Sequence, residues 1–376
     1  MGIEFIDLQA QRRRIKESID TAVWAVMDHG RFVMGPEVLE FETQLAKFGQ
    51  AQYALGCANG TDALILSLMA WNIGPGDAVF CPSFTYCATA EAIAIRGATP
   101  VFVDIQRDTY NMCPTNLDQA ISEINRKGEL RPRAIIAVDL FGQVADYPTI
   151  SEIAKQHGLK LISDSAQAFG ATLNGHHPLH WADITTTSFF PAKPLGCYGD
   201  GGAILTNDAA LRMEIDSLRI HGKGNDKYDN VRIGLNSRLD TLQAAILLQK
   251  LAVFEDEIKR RGVIAQRYSD ALKDYVLRVP TVIKDGVSTW AQYTLEVADP
   301  IIFASTLNKA GIPTARYYPK PIHTQTAYAH FPLSGNGLGH TDDAANTVIS
   351  LPMHAYLDAS MQDHIIETAI KAAQSS

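Results

Sequence analysis

The chain has 376 residues, 46% hydrophobic and 20% charged, an ordinary folded composition long enough for two domains. A net charge of −8 and a pI of about 5.8 argue against nucleic acid or an anionic membrane as the main partner, since both attract basic surfaces. No apolar run of about 18 residues is present to span a bilayer. The opening MGIEFIDLQAQRRR lacks the core of a signal peptide, and five cysteines without a C-x-x-C pair fit reduced thiols. A cytoplasmic protein is expected.

Taken in chain order, helical periodicity marks 36–48, 61–71, 85–96, 115–127, 147–157 and 208–220. Between these lie short apolar runs: AVFCPS (78–83), PVFVDI (100–105), AIIAVDLFG (134–142), LKLISDSAQ (159–167), ITTTSFF (184–190) and GGAILTN (201–207). Near-continuous apolar strands alternating with helices indicate an α/β protein with a mostly parallel sheet covered on both faces. A long helix is expected over roughly 240–273. Beyond it come TWAQYTLEV, a helix near 301–311 and the loop ARYYPKPIHTQTAY. The expected organisation is a large α/β domain over 1–240 and a smaller α+β domain over 250–376, with the long helix connecting them.

Ligands of open α/β sheets sit beyond the carboxyl ends of the strands. That rule selects Ser83–Tyr86, Asp164–Gln167 and Ser188–Lys193, together with GCANGTD (56–62) at a helix start. Asn59-Gly60-Thr61 offers free amides and a favourable dipole to a phosphate, or Thr61 is simply an N-cap. Asp164 ends an apolar strand, where a carboxylate needs a cation, a hydrogen-bond donor or a protonated ring nitrogen beside it. Lys193 lies in SFFPAKPLGCYGDGGA, among aromatics, prolines and glycines. A desolvated lysine loses proton affinity and becomes a nucleophile able to form a Schiff base; the other reading is a surface-loop lysine. A phosphate-binding helix start, then a strand-end Asp, then a Ser…Lys pair is the layout for pyridoxal 5'-phosphate.

These segments resemble the DegT/DnrJ/EryC1 sugar aminotransferases. The resemblance covers essentially the whole chain, through FIDLQAQ, MGPEVLEFE, CANGTDAL, PSFTYCATAEAI, GATPVFVDI, DLFGQVAD, DSAQAFGA, SFFPAKPLGCYGDGGA, RIHGK and GLNSRLDTLQAAIL. It implies the aspartate-aminotransferase-type fold (fold type I) and the cofactor pyridoxal 5'-phosphate. In that likeness Lys193 is the Schiff-base lysine and moves the proton. Asp164 pairs with the ring nitrogen, Gln167 lies near the phenolic oxygen and Tyr86 stacks on the ring. Gly60, Thr61 and Ser188 hold the phosphate, and Asn236 reaches the phosphate of a neighbouring subunit, which implies a homodimer with shared sites. Some members carry histidine in place of the lysine and act as dehydratases; Lys193 argues for amino transfer, with L-glutamate as the donor by family habit.

SFFPAKPLGCYGDGGAI and NSRLDTLQAAILL look closest to members that aminate a 3-oxo UDP-N-acetylglucosaminuronic acid for bacterial O-antigen or lipopolysaccharide. Arg238 is the candidate for that sugar's carboxylate, since a guanidinium fork matches it; an ion pair with Asp240 or a helix-start contact is the other reading. Tyr317, Tyr318 and Arg31 are placed beside the nucleotide sugar, although Tyr317 stands where the family often has histidine. His29, His221 and His323 are motif residues without an assigned role. His176, His177 and His180 suggest a zinc site only by composition. The alternative substrate is a 4-oxo or deoxy-3-oxo UDP or dTDP sugar without a carboxylate. An NAD-dependent oxidoreductase is disfavoured, because no G-x-G-x-x-G follows the first strand. A non-catalytic regulator would need none of Lys193, Asp164 and Ser188.

Overall fold

The computed structural model describes residues 2–226 and 228–375. The chain opens with two helices, α1 (Leu8–Arg14) and α2 (Lys16–His29), followed by α3 (Pro36–Phe48). Pro36 stands at the first helical position of α3, where its missing N–H costs nothing. β1 (Tyr53–Cys57) leads into α4 (Gly60–Ala70), whose residues Ala63–Met69 are all buried. Then β2 (Asp77–Pro82), α5 (Ala88–Ile95), β3 (Thr99–Val103), α6 (Pro114–Lys127), β4 (Arg131–Val138), α7 (Tyr147–His157) and β5 (Lys160–Asp164) alternate. Both α6 and α7 end on a left-handed glycine, Gly128 and Gly158, where a side chain would be strained. A two-residue β6 (Thr172–Leu173) precedes β7 (Ile184–Ser188), β8 (Gly202–Thr206) and α8 (Ala209–Leu218).

Seven strands form one sheet in the order β1-β8-β7-β5-β4-β2-β3. β8 alone runs against the others, pairing antiparallel with β1 and β7. The remaining neighbours are parallel. The mostly parallel sheet expected from the apolar runs is therefore present, with helices packed on both faces. β1, α1 and α2 were not foreseen. YALGC is short and holds no β-branched residue, and QRRRIKES carries too few apolar residues for a clear period.

The long helix α9 runs Thr241–Leu272. Its first half packs against α2 and α3 and its second half supports another core. That core joins Tyr268 and Leu272 to the antiparallel pair β10 (Tyr293–Glu296) and β11 (Val348–Leu351), to α10 (Pro300–Lys309) and to α12 (Ala359–Ala373). Short β9 (Gly286–Val287) pairs with β6. The N-terminus also joins this region: Ile3 packs on it and the Met353 amide donates to the Phe5 carbonyl at 3.1 Å. Between α10 and α11 (Gly339–Thr347) the chain returns to the large sheet, where Phe102 exchanges backbone hydrogen bonds with Pro332 and Ser334. That return lays Tyr317 and Tyr318 against Phe84, Val138 and Phe141 at the carboxyl edge of the sheet.

Candidate active site

The site is built where β1, β2, β5 and β7 end. Asn59, not Thr61, caps α4: its side chain accepts from the Asp62 amide at 2.8 Å. The reading of Thr61 as an ordinary cap is thereby corrected. Among the described residues the Gly60 and Thr61 amides have no partner, so they are open to an anion at the positive end of the helix. Gly60 is required by crowding. A β-carbon there would lie 2.7 Å from Ser188 Cβ, so glycine lets the helix start approach the end of β7. Ser188 Oγ accepts from the Phe190 amide at 3.3 Å and stands beside this helix start.

Asp164 ends β5 between Val138 of β4 and Thr186 of β7 and is 7% exposed. Its carboxylate accepts from the Ala166 amide at 3.2 Å and from Thr89 Oγ1 at 3.3 Å. Two long hydrogen bonds under-serve a buried carboxylate. Burial raises its pKa, opposed by the Ala166 amide and by the Lys193 ammonium. Burial lowers the Lys193 pKa, opposed by Asp164. Each group is thus driven toward its neutral form and held charged by the other. Among the described residues the Lys193 ammonium has no hydrogen-bond or ion-pair partner, while its backbone amide is fixed to the Phe190 carbonyl at 2.8 Å. The backbone is tied and the amine is free, which is what a nucleophile requires.

Gln167 bridges two walls. Its Oε1 accepts from the Phe141 amide at 2.7 Å and its Nε2 donates to the Tyr318 hydroxyl at 3.0 Å. Tyr318 also meets Phe84 edge to face, at 6.2 Å between ring centres. Tyr86, between β2 and α5, is 57% exposed and presents its ring to the open side. Thr89 was missed by the sequence reading, because a threonine in the alanine-rich CATAEA looks like ordinary helix filling. His323 Nδ1 lies 2.8 Å from Ser83 Oγ and Nε2 lies 3.3 Å from Asp342, so it pins the returning loop to the end of β2.

Arg31, Asn236 and Arg238 share no hydrogen bond or ion pair with this cluster among the described residues. Val33 bridges to Asp240 and the Thr241 amide donates to the Phe32 carbonyl, which brings the segments carrying Arg31 and Arg238 together, while Asn236 bridges to Ile220. The suggested Arg238–Asp240 ion pair is absent among the described residues. His29 pairs with Glu37 at 3.0 Å, and His221 sits at a left-handed turn (φ 59°). The His176–His180 loop forms no metal cluster among the described residues. Instead the His176 and His180 rings stack 4.1 Å apart and His177 packs on Phe48 and Phe169.

Comparison with known proteins places this geometry. The model of the DegT/DnrJ/EryC1/StrS aminotransferase family matches residues 13–370. A UDP-2-acetamido-2-deoxy-3-oxo-D-glucuronate aminotransferase from Pseudomonas aeruginosa is 47% identical, over 95% of this chain and 97% of its own. The crystal structure of a DegT DnrJ EryC1 StrS aminotransferase from Brucella abortus superimposes with a TM-score of 0.96 at 49% identity, covering 98% of each chain. That of NtdA from Bacillus subtilis, described with bound cofactor PMP, gives 0.89 at 29% identity, over 99% of this chain and 85% of its own.

Proposed function

From the premise that the chain belongs to the DegT/DnrJ/EryC1/StrS aminotransferase family, we propose that it moves an amino group from L-glutamate to the keto carbon of a nucleotide-linked sugar. The keto carbon is C3 of UDP-2-acetamido-2-deoxy-3-oxo-D-glucuronic acid, on the way to bacterial O-antigen or lipopolysaccharide. The observation that carries the reading is the unpartnered Lys193 amine coupled to a buried, under-bonded Asp164.

The residues fit pyridoxal 5'-phosphate. The open Gly60 and Thr61 amides and Ser188 suit a phosphate, Asp164 suits a protonated ring nitrogen and Lys193 suits the carbonyl. When bound, this cofactor supplies the electron sink that lets an amino group pass between an amino acid and a ketone. Asp164, ionised beside a cation, keeps that cation protonated. Lys193 Nζ, whose proton affinity burial lowers, would take a proton and return it. Gln167 and Tyr318 hold each other in place and offer a donor at the ring's edge. Tyr86 and Tyr318 would shield a bound ring from water.

Arg31, Asn236 and Arg238 act across a homodimer, each completing the partner's site. Two observations support this: among the described residues their side chains have no hydrogen-bond or ion-pair partner, and exposed apolar residues lie beside them, Phe32, Val33 and Ile233, the last 91% exposed. Arg238 binds the sugar carboxylate. Substituting Arg238→Ala is expected to lower kcat/KM for the uronate about 100-fold, because the carboxylate then goes unmatched, and to change a neutral 3-oxo sugar by less than about threefold. Steady-state kinetics on both sugars, with product mass measured, decide it. Equal losses on both would remove the carboxylate role and favour a neutral keto sugar.

A further inference from the structure

Lys250 is a buried lysine for which the proposed reaction has no use. It lies on α9 at 1% exposure, among Leu247, Leu248 and Leu251. Its ammonium donates to the Gly196 carbonyl at 2.5 Å and sits 4.2 Å from the centre of the Tyr198 ring, a cation–π geometry. Among the described residues it has no ion-pair partner. A buried charge without a counter-ion costs several kcal/mol, and an apolar side chain would suit this stripe better. The expense falls on the loop that carries Lys193.

That loop is a closed turn. The Cys197 amide donates to the Phe189 carbonyl at 2.8 Å and the Lys193 amide to the Phe190 carbonyl at 2.8 Å. Gly196 is so enclosed that a β-carbon would lie 2.5 Å from the Pro191 carbonyl oxygen. The far side of the turn packs on Ile15 and Ile19 through Tyr198 and takes its hydrogen bonds to Tyr198 from α9. Gln243, two helical turns before Lys250 and so on the same face, accepts from the Tyr198 amide at 2.8 Å and donates to the Tyr198 carbonyl at 3.4 Å.

We propose that Lys250 is a positioning residue: with Gln243 it clamps the Gly196–Tyr198 turn onto α9 and so fixes where the Lys193 amine stands relative to Asp164. The proposal rests on the reading of Lys193 as the cofactor lysine. Burial lowers the Lys250 pKa to about 8, opposed by Cys197 and Glu257. The groups facing this ammonium and the Tyr198 ring are Cys197, Glu257, Arg12 and Asp20. Above pH of about 8 the ammonium loses its proton, and the clamp is expected to slacken.

The test compares wild type with Lys250→Met and Lys250→Arg. In cofactor-free protein, trace acetylation of Lys193 is followed across pH by mass spectrometry. Lys250→Met is expected to keep its thermal midpoint within about 5 °C, since a lost hydrogen bond and a removed buried charge offset each other. It is expected to move the Lys193 labelling midpoint by about half a pH unit or more. It should also lower kcat about tenfold or more at nearly constant KM, with Lys250→Arg recovering part of both. An unmoved Lys193 midpoint in a folded Lys250→Met protein would overturn the proposal. If that variant does not fold, Gln243→Leu carries the same expectation and the same refutation. Acetylation needs no cofactor. A wild type that never develops a visible band with pyridoxal 5'-phosphate would sink the aminotransferase reading while the labelling still judged the clamp.

Discussion

In the proposed reaction Asp164 and Lys193 carry the chemistry through a conflict that each settles for the other. Burial makes the carboxyl a weaker acid and the amine a weaker base, and their mutual attraction opposes both shifts. A carboxyl whose pKa is raised on folding binds more protons folded than unfolded, so its contribution to stability falls as pH climbs through the raised value. Asp164→Asn is therefore expected to flatten the fall in urea midpoint of the cofactor-free protein above pH of about 4, while lowering kcat at least about 100-fold. Urea titrations from acid to neutral pH and steady-state rates check the two halves. Both residues were legible because each breaks a pattern, a charge at the end of an apolar strand and a lysine among aromatics and glycines. Thr89 and Asn59 were not, because threonine in a helix and asparagine before one are ordinary, and only the fold shows what they touch.

The decisive contact between elements is that of the start of α4 with the end of β7. Gly60 allows it, and a methyl there would press on Ser188 Cβ at 2.7 Å. Gly60→Ala is expected to cost about 1–3 kcal/mol of stability by overpacking and to weaken pyridoxal 5'-phosphate binding about tenfold or more, because the open amides and Ser188 can no longer converge. Chemical denaturation and a cofactor titration measure these separately. The helices and parallel strands of the sheet could be read from periodicity, and 36–48 and 147–157 match the observed α3 and α7 to the residue. The direction of β8 could not be read. A strand buried on both faces gives the same apolar run whichever way it points.

For the whole molecule, the side chains of Arg31, Asn236 and Arg238 have no hydrogen-bond or ion-pair partner among the described residues, and the proposed reading gives them to the partner's site. Sequence motifs name such residues but do not say which copy they serve. If sites are shared, Lys193→Ala and Asn236→Ala proteins, each inactive alone, regain activity when unfolded together and refolded, because mixed dimers contain one intact site. Continued inactivity in a mixture shown by mass spectrometry to contain the mixed dimer would place each site within a single chain. No helix among the described residues is long and apolar enough to cross a membrane.

The most direct measurement is the visible absorption of the purified protein with pyridoxal 5'-phosphate, before and after L-glutamate, for wild type and Lys193→Ala. The account predicts a visible band in the wild type that glutamate bleaches and that the variant lacks. No band with excess cofactor, or an equal band in Lys193→Ala, would contradict it.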